Sequence, residues 1–345
     1  MAENSWTQLG VYEVAPGVYR IPLPLPNDGL RAVNVYALRD GDGLVLIDSG
    51  WALTQAQRAL ESALGKLGHG FEGVRRFLVT HMHRDHYTLA VALRRIYGTK
   101  IAIGLAEQPS LEKVIARASD GRAADLLRWG AQSMRARLWE RYNASDENSV
   151  ASVYELPDEW FDGEMDVELA HRKLRVVPTP GHTMGHVVFI DAESSLLFAG
   201  DHVLPHITPS IGFEAARAEL PLRDYLDSLR LVRRYPDMRL LPAHGPVTHS
   251  VHGRVDELLA HHERRLKLTL EAAESGASTA FEVAQRLRWT RRERHFDSLD
   301  VFNQMLAIGE TAAHLDLLVV RGLLRSSAND GVLEYRTVST PTIDS

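Results

Sequence analysis

Thr80-His81-Met82-His83-Arg84-Asp85-His86 sets His81, His83, Asp85 and His86 side by side immediately after the apolar run 74–80. A loop at the end of a strand lets a rigid scaffold aim several side chains at one point. Imidazole and carboxylate together suit zinc, iron or manganese. Alone, the stretch is compatible with a surface loop that carries chance histidines.

Three further fragments argue against chance. They are Thr179-Pro180-Gly181-His182-Thr183-Met184-Gly185-His186, Phe198-Ala199-Gly200-Asp201-His202 and Pro242-Ala243-His244-Gly245. Each sets His or Asp beside Gly at the edge of an expected strand. A strand-end Asp such as Asp85 or Asp201 often caps the next helix, but the histidines grouped around both favour ligation.

Around these motifs the pattern alternates. Strands are expected over 11–21, 32–39, 43–48, 74–80 and 100–103, with helices over 53–67 and 88–97. The first helix has an apolar stripe of Ala56, Leu60, Ala63, Leu64 and Leu67. From about 106 to 141 the chain turns helical and rich in Arg, Ala and Leu, which reads as an insertion over the mouth of the site. Strands return at 166–169, 174–178, 186–191, 195–199 and 239–242, with a helix over 222–235. After about residue 251 come helices over 254–274, 279–287 and 303–321. A hairpin closes around Asn329-Asp330-Gly331. Three helices and a hairpin outline a winged-helix-like domain.

Taken in order, the fragments resemble the metallo-β-lactamase superfamily over about residues 10–250. Its HxHxDH pattern matches His81 to His86, its later ligands match His182, Asp201 and His244, and its early strand-end Asp matches Asp48 in Leu46-Ile47-Asp48-Ser49-Gly50. The resemblance implies an α/β fold, the αββα sandwich of that family. The catalytic domain would span 1–250 with a helical insertion at about 106–150, and a winged-helix-like domain would span 251–345. It also implies a first metal on His81, His83 and His182, a second on Asp85, His86 and His244, and Asp201 as the bridge. Asp48 reads as a residue that orients the ligand loop by hydrogen bonds.

Two divalent ions about 3.5–4 Å apart make hydroxide available near neutral pH and polarise the scissile group. The implied nucleophile is a hydroxide bridging the metals. Asp85 is the candidate catalytic residue, with an oxygen to orient that hydroxide and move its proton. No Gly-x-Ser-x-Gly elbow is present to suggest a serine nucleophile.

The best-known antibiotic-hydrolysing members use a Cys at the second metal and lack the bridging Asp. This chain has no Cys and carries Asp201, so it resembles the glyoxalase II, lactonase, thioesterase and nuclease branches. His83 stands where the flavodiiron branch has Glu. Zinc is the expected metal, two per chain, with iron or manganese as alternatives. Thr88 occupies a position where the family often has Gly, and local repacking is expected there.

With 45% hydrophobic and 24% charged residues and a net charge of −6, the chain has a globular composition and no general affinity for polyanions. Neither a signal peptide nor a membrane span is read, so the expected location is cytoplasmic, with no membrane partner. Oligomeric state is not legible.

The other histidines have plainer readings. His186, His202 and His206 are taken as packing or supporting residues, with His202 and His206 also candidates to face substrate. His249, His252, His261 and His262 are taken as solvated. Arg84 could meet an anionic substrate or form an outward ion pair. Trp129, Met134, Trp139 and Tyr142 could line an apolar channel or pack the insertion. The helix over 303–321 carries Glu310 and Asp316 and reads as a packing helix, while Arg286, Arg288, Arg291, Arg292 and Arg294 form a basic cluster.

The expected function is hydrolysis of an ester, thioester or lactone, with a small-molecule acyl substrate as partner. The C-terminal outline also resembles the lactamase-beta-2 relatives. That makes a metal-dependent endoribonuclease on single-stranded RNA the first alternative, with nucleic acid as partner. Weak side activity on β-lactams is a second, and a nucleic-acid-binding regulator with a vestigial site a third.

Overall fold

The computed structural model describes residues 5–26, 29–116, 122–134, 137 and 153–338. One sheet contains, in spatial order, β1 (Tyr12–Ala15), β2 (Val18–Pro24), β3 (Ala32–Asp40), β4 (Gly43–Ile47), β5 (Val74–Leu78), β6 (Lys100–Gly104) and β7 (Glu159–Phe161). Its first four strands are antiparallel neighbours, and β4 to β7 run parallel. The second sheet contains β8 (Met165–Leu169), β9 (Arg172–Pro178), β10 (Val187–Asp191), β11 (Leu196–Gly200) and β12 (Arg239–Pro242). Only its β11–β12 pair is parallel.

Side-chain alternation separates the layers. Val45 and Ile47 of β4 join Val176, Phe189 and Phe198 of the second sheet in one cluster. Leu44 and Leu46 face the opposite way, against Leu60 and Leu64 of α1 (Thr54–Lys66) and Leu89 and Leu93 of α2 (Arg84–Tyr97). Beyond α3 (Gln108–Ile115) and α4 (Arg122–Arg128), α5 (Pro221–Val232) covers the outer face of the second sheet. There Leu222, Leu226 and Leu229 pack with Val188, Ile190 and Leu197. Helix, sheet, sheet and helix form the expected αββα sandwich. Because both faces of each sheet are covered, β4, β10 and β11 are buried throughout and read as apolar runs, with Asp191 at the end of β10 paired to Arg172.

Several boundaries move. The run 11–21 is two strands, since Gly17 (φ 70°) turns the chain between β1 and β2. Helix α2 begins at Arg84, not Thr88, so Asp85 and His86 lie in its first turn. Of the expected insertion, α3 and α4 are helical. Trp139 and Tyr142 lie outside the described residues. Trp129 and Met134 are buried in the core beside the second sheet.

The C-terminal part contains α6 (Val251–Glu274), α7 (Ala280–Arg286), the short pair β13 (Arg288–Trp289) and β14 (Arg294–His295), α8 (Val301–Val320), and a hairpin of β15 (Leu324–Asn329) and β16 (Val332–Thr337). The local signals are visible. Ser250 caps α6, Thr279 and Glu282 form a capping box on α7, and Asp300 caps α8. Asp330 (φ 47°) and Gly331 (φ 80°) make the two-residue turn, flanked by the Asn329–Val332 pair. The β13–β14 pair is an addition to the elements expected from sequence. Ala307, Ile308 and Leu315 of α8 belong to the same apolar cluster as the outer face of the second sheet. Core packing therefore continues across residue 250. Among the described residues, no helix is long and apolar enough to cross a membrane.

Candidate metal centre

The motifs all reach the same edge of the sandwich because they follow the ends of strands from both sheets. Asp48 follows β4, His81–His86 follow β5, His182 follows β9, Asp201 follows β11 and His244 follows β12. All seven expected ligands come together there.

Three groupings have the geometry to hold an ion: His81, His83 and His182; His81, His86 and Asp201; and Asp85, His86 and His244. In the first, His81 Nε2 and His83 Nδ1 are 3.0 Å apart, His182 Nε2 lies 3.0 Å from His83 Nδ1, and it lies 3.2 Å from His81 Nε2. Zinc–nitrogen bonds at tetrahedral angles place neighbouring nitrogens about 3.3 Å apart, so the triangle is close to the right size. In the third, Asp85 Oδ2 is 3.6 Å from His86 Nε2 and 3.4 Å from His244 Nε2. Asp201 lies between the groups. Its Oδ2 is 3.6 Å from His182 Nε2, and its Oδ1 is 3.7 Å from His86 Nε2 and 3.4 Å from His244 Nε2.

The far side of each ring fixes where its proton sits. His83 Nε2 donates to the Phe213 carbonyl at 2.8 Å, His182 Nδ1 to the Ser210 carbonyl at 2.6 Å, and His244 Nδ1 to the Ala32 carbonyl at 2.8 Å. His86 Nδ1 donates to Asp48 Oδ2 at 2.8 Å. His81 Nδ1 lies 3.1 Å from Thr80 Oγ1, whose own hydrogen goes to Asp48. In the neutral rings the inward nitrogens are bare. Bare lone pairs 3.0 Å apart repel unless a cation lies between them. The inward atoms His86 Nε2, His244 Nε2 and Asp201 Oδ1 are buried with no hydrogen-bond partner among the described residues. The donor set and its orphaned atoms fit divalent metal.

Electrostatics divides the cluster. Burial pushes His83 down to about 3, aided by His182, and lowers His81 and His182 as well. These three are neutral and ready to ligate. Burial alone would also lower His86, but Asp85, Asp48 and Asp201 push it up to about 10. His244 rises despite its burial through Asp201 and Asp85. Burial would raise Asp85, yet His86 and His244 hold it well below the usual carboxylate range. The carboxylates of Asp85, Asp48 and Asp201 thus favour positive charge in the second group.

Supporting residues explain the placement. Asp48 (φ 60°) accepts hydrogen bonds from Thr80 N–H at 2.8 Å and from His86, the orienting role expected of it. Asp85 does not cap α2, whose N-cap is His83 with no side-chain cap. His186 Nε2 accepts from Asp201 N–H at 3.2 Å while its Nδ1 meets Thr179 Oγ1 at 2.9 Å, so it links the His182 loop to Asp201. Gly200 (φ 50°) is required locally, because a Cβ there would stand 2.7 Å from His186 Nε2 and 2.8 Å from Thr80 Cβ. At Thr88 the hydroxyl donates to the Arg84 carbonyl and accepts Ala52 N–H.

Sequence reasoning missed the segment 210–217. Its Ser210 and Phe213 contributions are backbone carbonyls, which have no residue signature. His202 is fully buried against His186 and Tyr225, in keeping with a packing role, and His206 is exposed. One expectation is corrected. His262 is buried against Tyr225 and His314, not solvated. Arg84 lies over the Trp51 ring, 4.0 Å from its centroid.

The profile of the metallo-beta-lactamase superfamily matches residues 28–244. A probable metallo-hydrolase of Bacillus subtilis is 24% identical over 338 residues, covering 92% of this chain and 97% of its own. A beta-lactamase-like protein 2 homolog of Caenorhabditis elegans is 25% identical over 307 residues, covering 88% and 81%. Among solved structures, a metallo-beta-lactamase family protein of Thermus thermophilus superposes with a TM-score of 0.79 at 26% identity, covering 94% of this chain and 100% of that one. A beta-lactamase domain protein of Burkholderia ambifaria gives 0.80 at 28%, covering 95% and 94%. With the ligand order, the two-sheet frame and the family profile in agreement, the chain belongs to the metallo-beta-lactamase superfamily.

Proposed function

We propose that this chain, a metal-dependent hydrolase by family, binds two zinc ions and hydrolyses an ester, thioester or lactone. The observation that carries the reading is the set of five imidazoles, each with its outer nitrogen on a protein acceptor and its inner nitrogen turned into one cluster that also holds Asp85 and Asp201. His81, His83 and His182 would hold one ion, Asp85, His86 and His244 the other, and Asp201 would contribute an oxygen to each. Such ions supply Lewis acidity and a water acidic enough to ionise near neutral pH.

The chain's own groups do the rest. Asp85 is the catalytic residue of this reading: its carboxylate, ionised beside His86 and His244, would orient the attacking water by accepting its hydrogen bond. Asp48, Thr80 and the Ser210 and Phe213 carbonyls keep the rings from turning. Phe213 stands beside His83, ring centroids 6.0 Å apart, and packs against Phe302 at 5.5 Å, an aromatic pair that suits an apolar acyl group. In the same reading, residues 1–250 form the catalytic domain, 251–345 are winged-helix-like, and the location is cytoplasmic.

The test is a panel of thioesters, aryl esters and lactones assayed with defined zinc, with and without chelator. Chelator-sensitive turnover that zinc restores is expected. No turnover on the whole panel with zinc present would sink the acyl reading. A second reading, cleavage of single-stranded RNA, is favoured by the exposed Arg291, Arg292 and Arg294 of the β13–β14 hairpin. It predicts salt-dependent RNA binding that Arg291→Ala with Arg292→Ala weakens, and absence of binding at low salt ends it.

A further inference from the structure

Two carboxyl groups, the buried Glu107 and the half-buried Glu214, stand beside the metal centre without belonging to it. Glu107, in the short turn that follows β6, is fully buried. Its carboxyl accepts a hydrogen bond from the Thr183 hydroxyl and lies close enough to the backbone N–H of Met82 to feel its dipole. Met82 lies between ligands His81 and His83, and Thr183 directly follows ligand His182. One side chain from a third element thus ties together the two loops that carry the three-histidine group.

Glu214 acts on the same loops from the other side. Its Oε2 accepts Met184 N–H at 3.1 Å and the Ser110 hydroxyl at 3.3 Å. It also directly follows Phe213, whose carbonyl holds His83. Ser110 Oγ in turn accepts Ala216 N–H at 2.9 Å, which closes the connection between α3 and segment 210–217. The backbones here leave no slack, since a Cβ on Gly185 would stand 2.2 Å from Glu107 N.

Glu107 Oε2 and Glu214 Oε1 are buried without hydrogen-bond partners among the described residues. Burial pushes Glu107 up to about 8, with Glu214 adding to the rise, and pushes Glu214 up to about 7. A full negative charge on both would be strongly disfavoured, so a neutral carboxyl in the Glu107 position is compatible with its hydrogen bonds.

We propose that Glu107, with Glu214, is a positioning residue for the first metal group: a buried carboxyl clamp that sets the spacing between the His81–His83 loop and the His182 loop. The proposal rests on the metal-centre reading above. Three ring nitrogens converge on one ion only if both loops are held within about 0.5 Å, and Glu107 spans them directly. Removing its oxygens leaves the Thr183 hydroxyl buried without this acceptor and takes the carboxyl away from the Met82 N–H. The role needs an acceptor oxygen and not a negative charge, which distinguishes it from charge neutralisation of the metals.

The experiment measures zinc content and affinity by chelator competition, with no substrate involved. Wild type, Glu107→Gln, Glu107→Ala and Thr183→Val are compared, with circular dichroism of each metal-free protein. Glu107→Gln keeps an acceptor oxygen and is expected within about three-fold of wild-type affinity. Glu107→Ala is expected to lose about 10–100-fold for one of the two ions and little for the other. Thr183→Val keeps the shape, removes one hydrogen bond and is expected to lose several-fold, which tests the clamp even if Glu107→Ala does not fold. Wild-type affinity in Thr183→Val together with a folded, fully binding Glu107→Ala overturns the clamp, as does Glu107→Gln binding no better than Glu107→Ala. A wild-type protein that binds no zinc overturns the metal-centre reading itself, so the two failures are distinguishable.

Discussion

The carbonyl of Phe213 accepts the Nε2 hydrogen of His83 at 2.8 Å across 130 residues of chain. The Phe213 ring in turn meets Phe302 of α8 edge-on, with centroids 5.5 Å apart. The C-terminal helix therefore lies one residue away from a metal-site histidine. Replacing Phe302 by Ala removes that support without touching any ligand. The expected stability loss is about 1–3 kcal/mol, with zinc affinity falling several-fold. Urea denaturation and chelator competition measure the two effects, and unchanged zinc affinity would disprove the coupling.

Asp48 serves three donors at once, His86 Nδ1, Thr80 N–H and the Thr80 hydroxyl. Asn tolerates the positive φ of 60° at this position. Asp48→Asn is therefore expected to fold, but its single acceptor oxygen and lack of charge weaken the hold on His86. Metal affinity should drop about 10–100-fold, read by competition with a chromophoric chelator. Full affinity in the variant would remove Asp48 from the orienting role.

The pH dependence of stability has a definite sign at Glu107. Its folded pKa is raised to about 8 by burial and by Glu214, whereas an unfolded Glu titrates near about 4.3. The folded protein holds the proton more tightly, so this contribution is complete below about pH 4 and is lost as pH rises through about 8. One such group changes stability by at most about 1.4 kcal/mol per pH unit. Metal-free Glu107→Gln should show a flatter fall in stability than wild type over that window, measured by denaturant titration at several pH values. Parallel curves would mean that Glu107 ionises normally.

Gly200 sits between the first metal group and Asp201. Ala at this position combines a φ of 50° with approaches of 2.7 Å to His186 and 2.8 Å to Thr80. We expect Gly200→Ala to cost about 2–4 kcal/mol, visible as a lowered denaturation midpoint. A variant as stable as wild type would show that the β11 end can rearrange freely.

Much of the site was legible because its information is local. His81–His86, Asp201 and His244 are each announced by Gly or by an adjacent apolar strand, and the resemblance supplied their grouping. The strand–loop boundaries near them agree with the structure to within a few residues. Helix α2 starts earlier than its apolar period suggests, since the residues its first turn buries are His86 and Tyr87, not the aliphatic side chains that mark such a period. His262 escapes a sequence reading for a related reason: its burial comes from Tyr225 on α5, an element distant in sequence.

The amino-acid sequence by itself determined the two-sheet alternation, the order of the ligand motifs and the absence of thiol ligands, because these reside in side-chain identity and short-range periodicity. Tertiary structure alone decided which nitrogen of each histidine faces inward, through carbonyls at Ala32, Ser210 and Phe213 that no residue type encodes. It also brought Glu107 against Met82 and Thr183. Hydrogen bonds between distant backbones depend on how sheets and helices pack, and the chain forms that packing only as a whole.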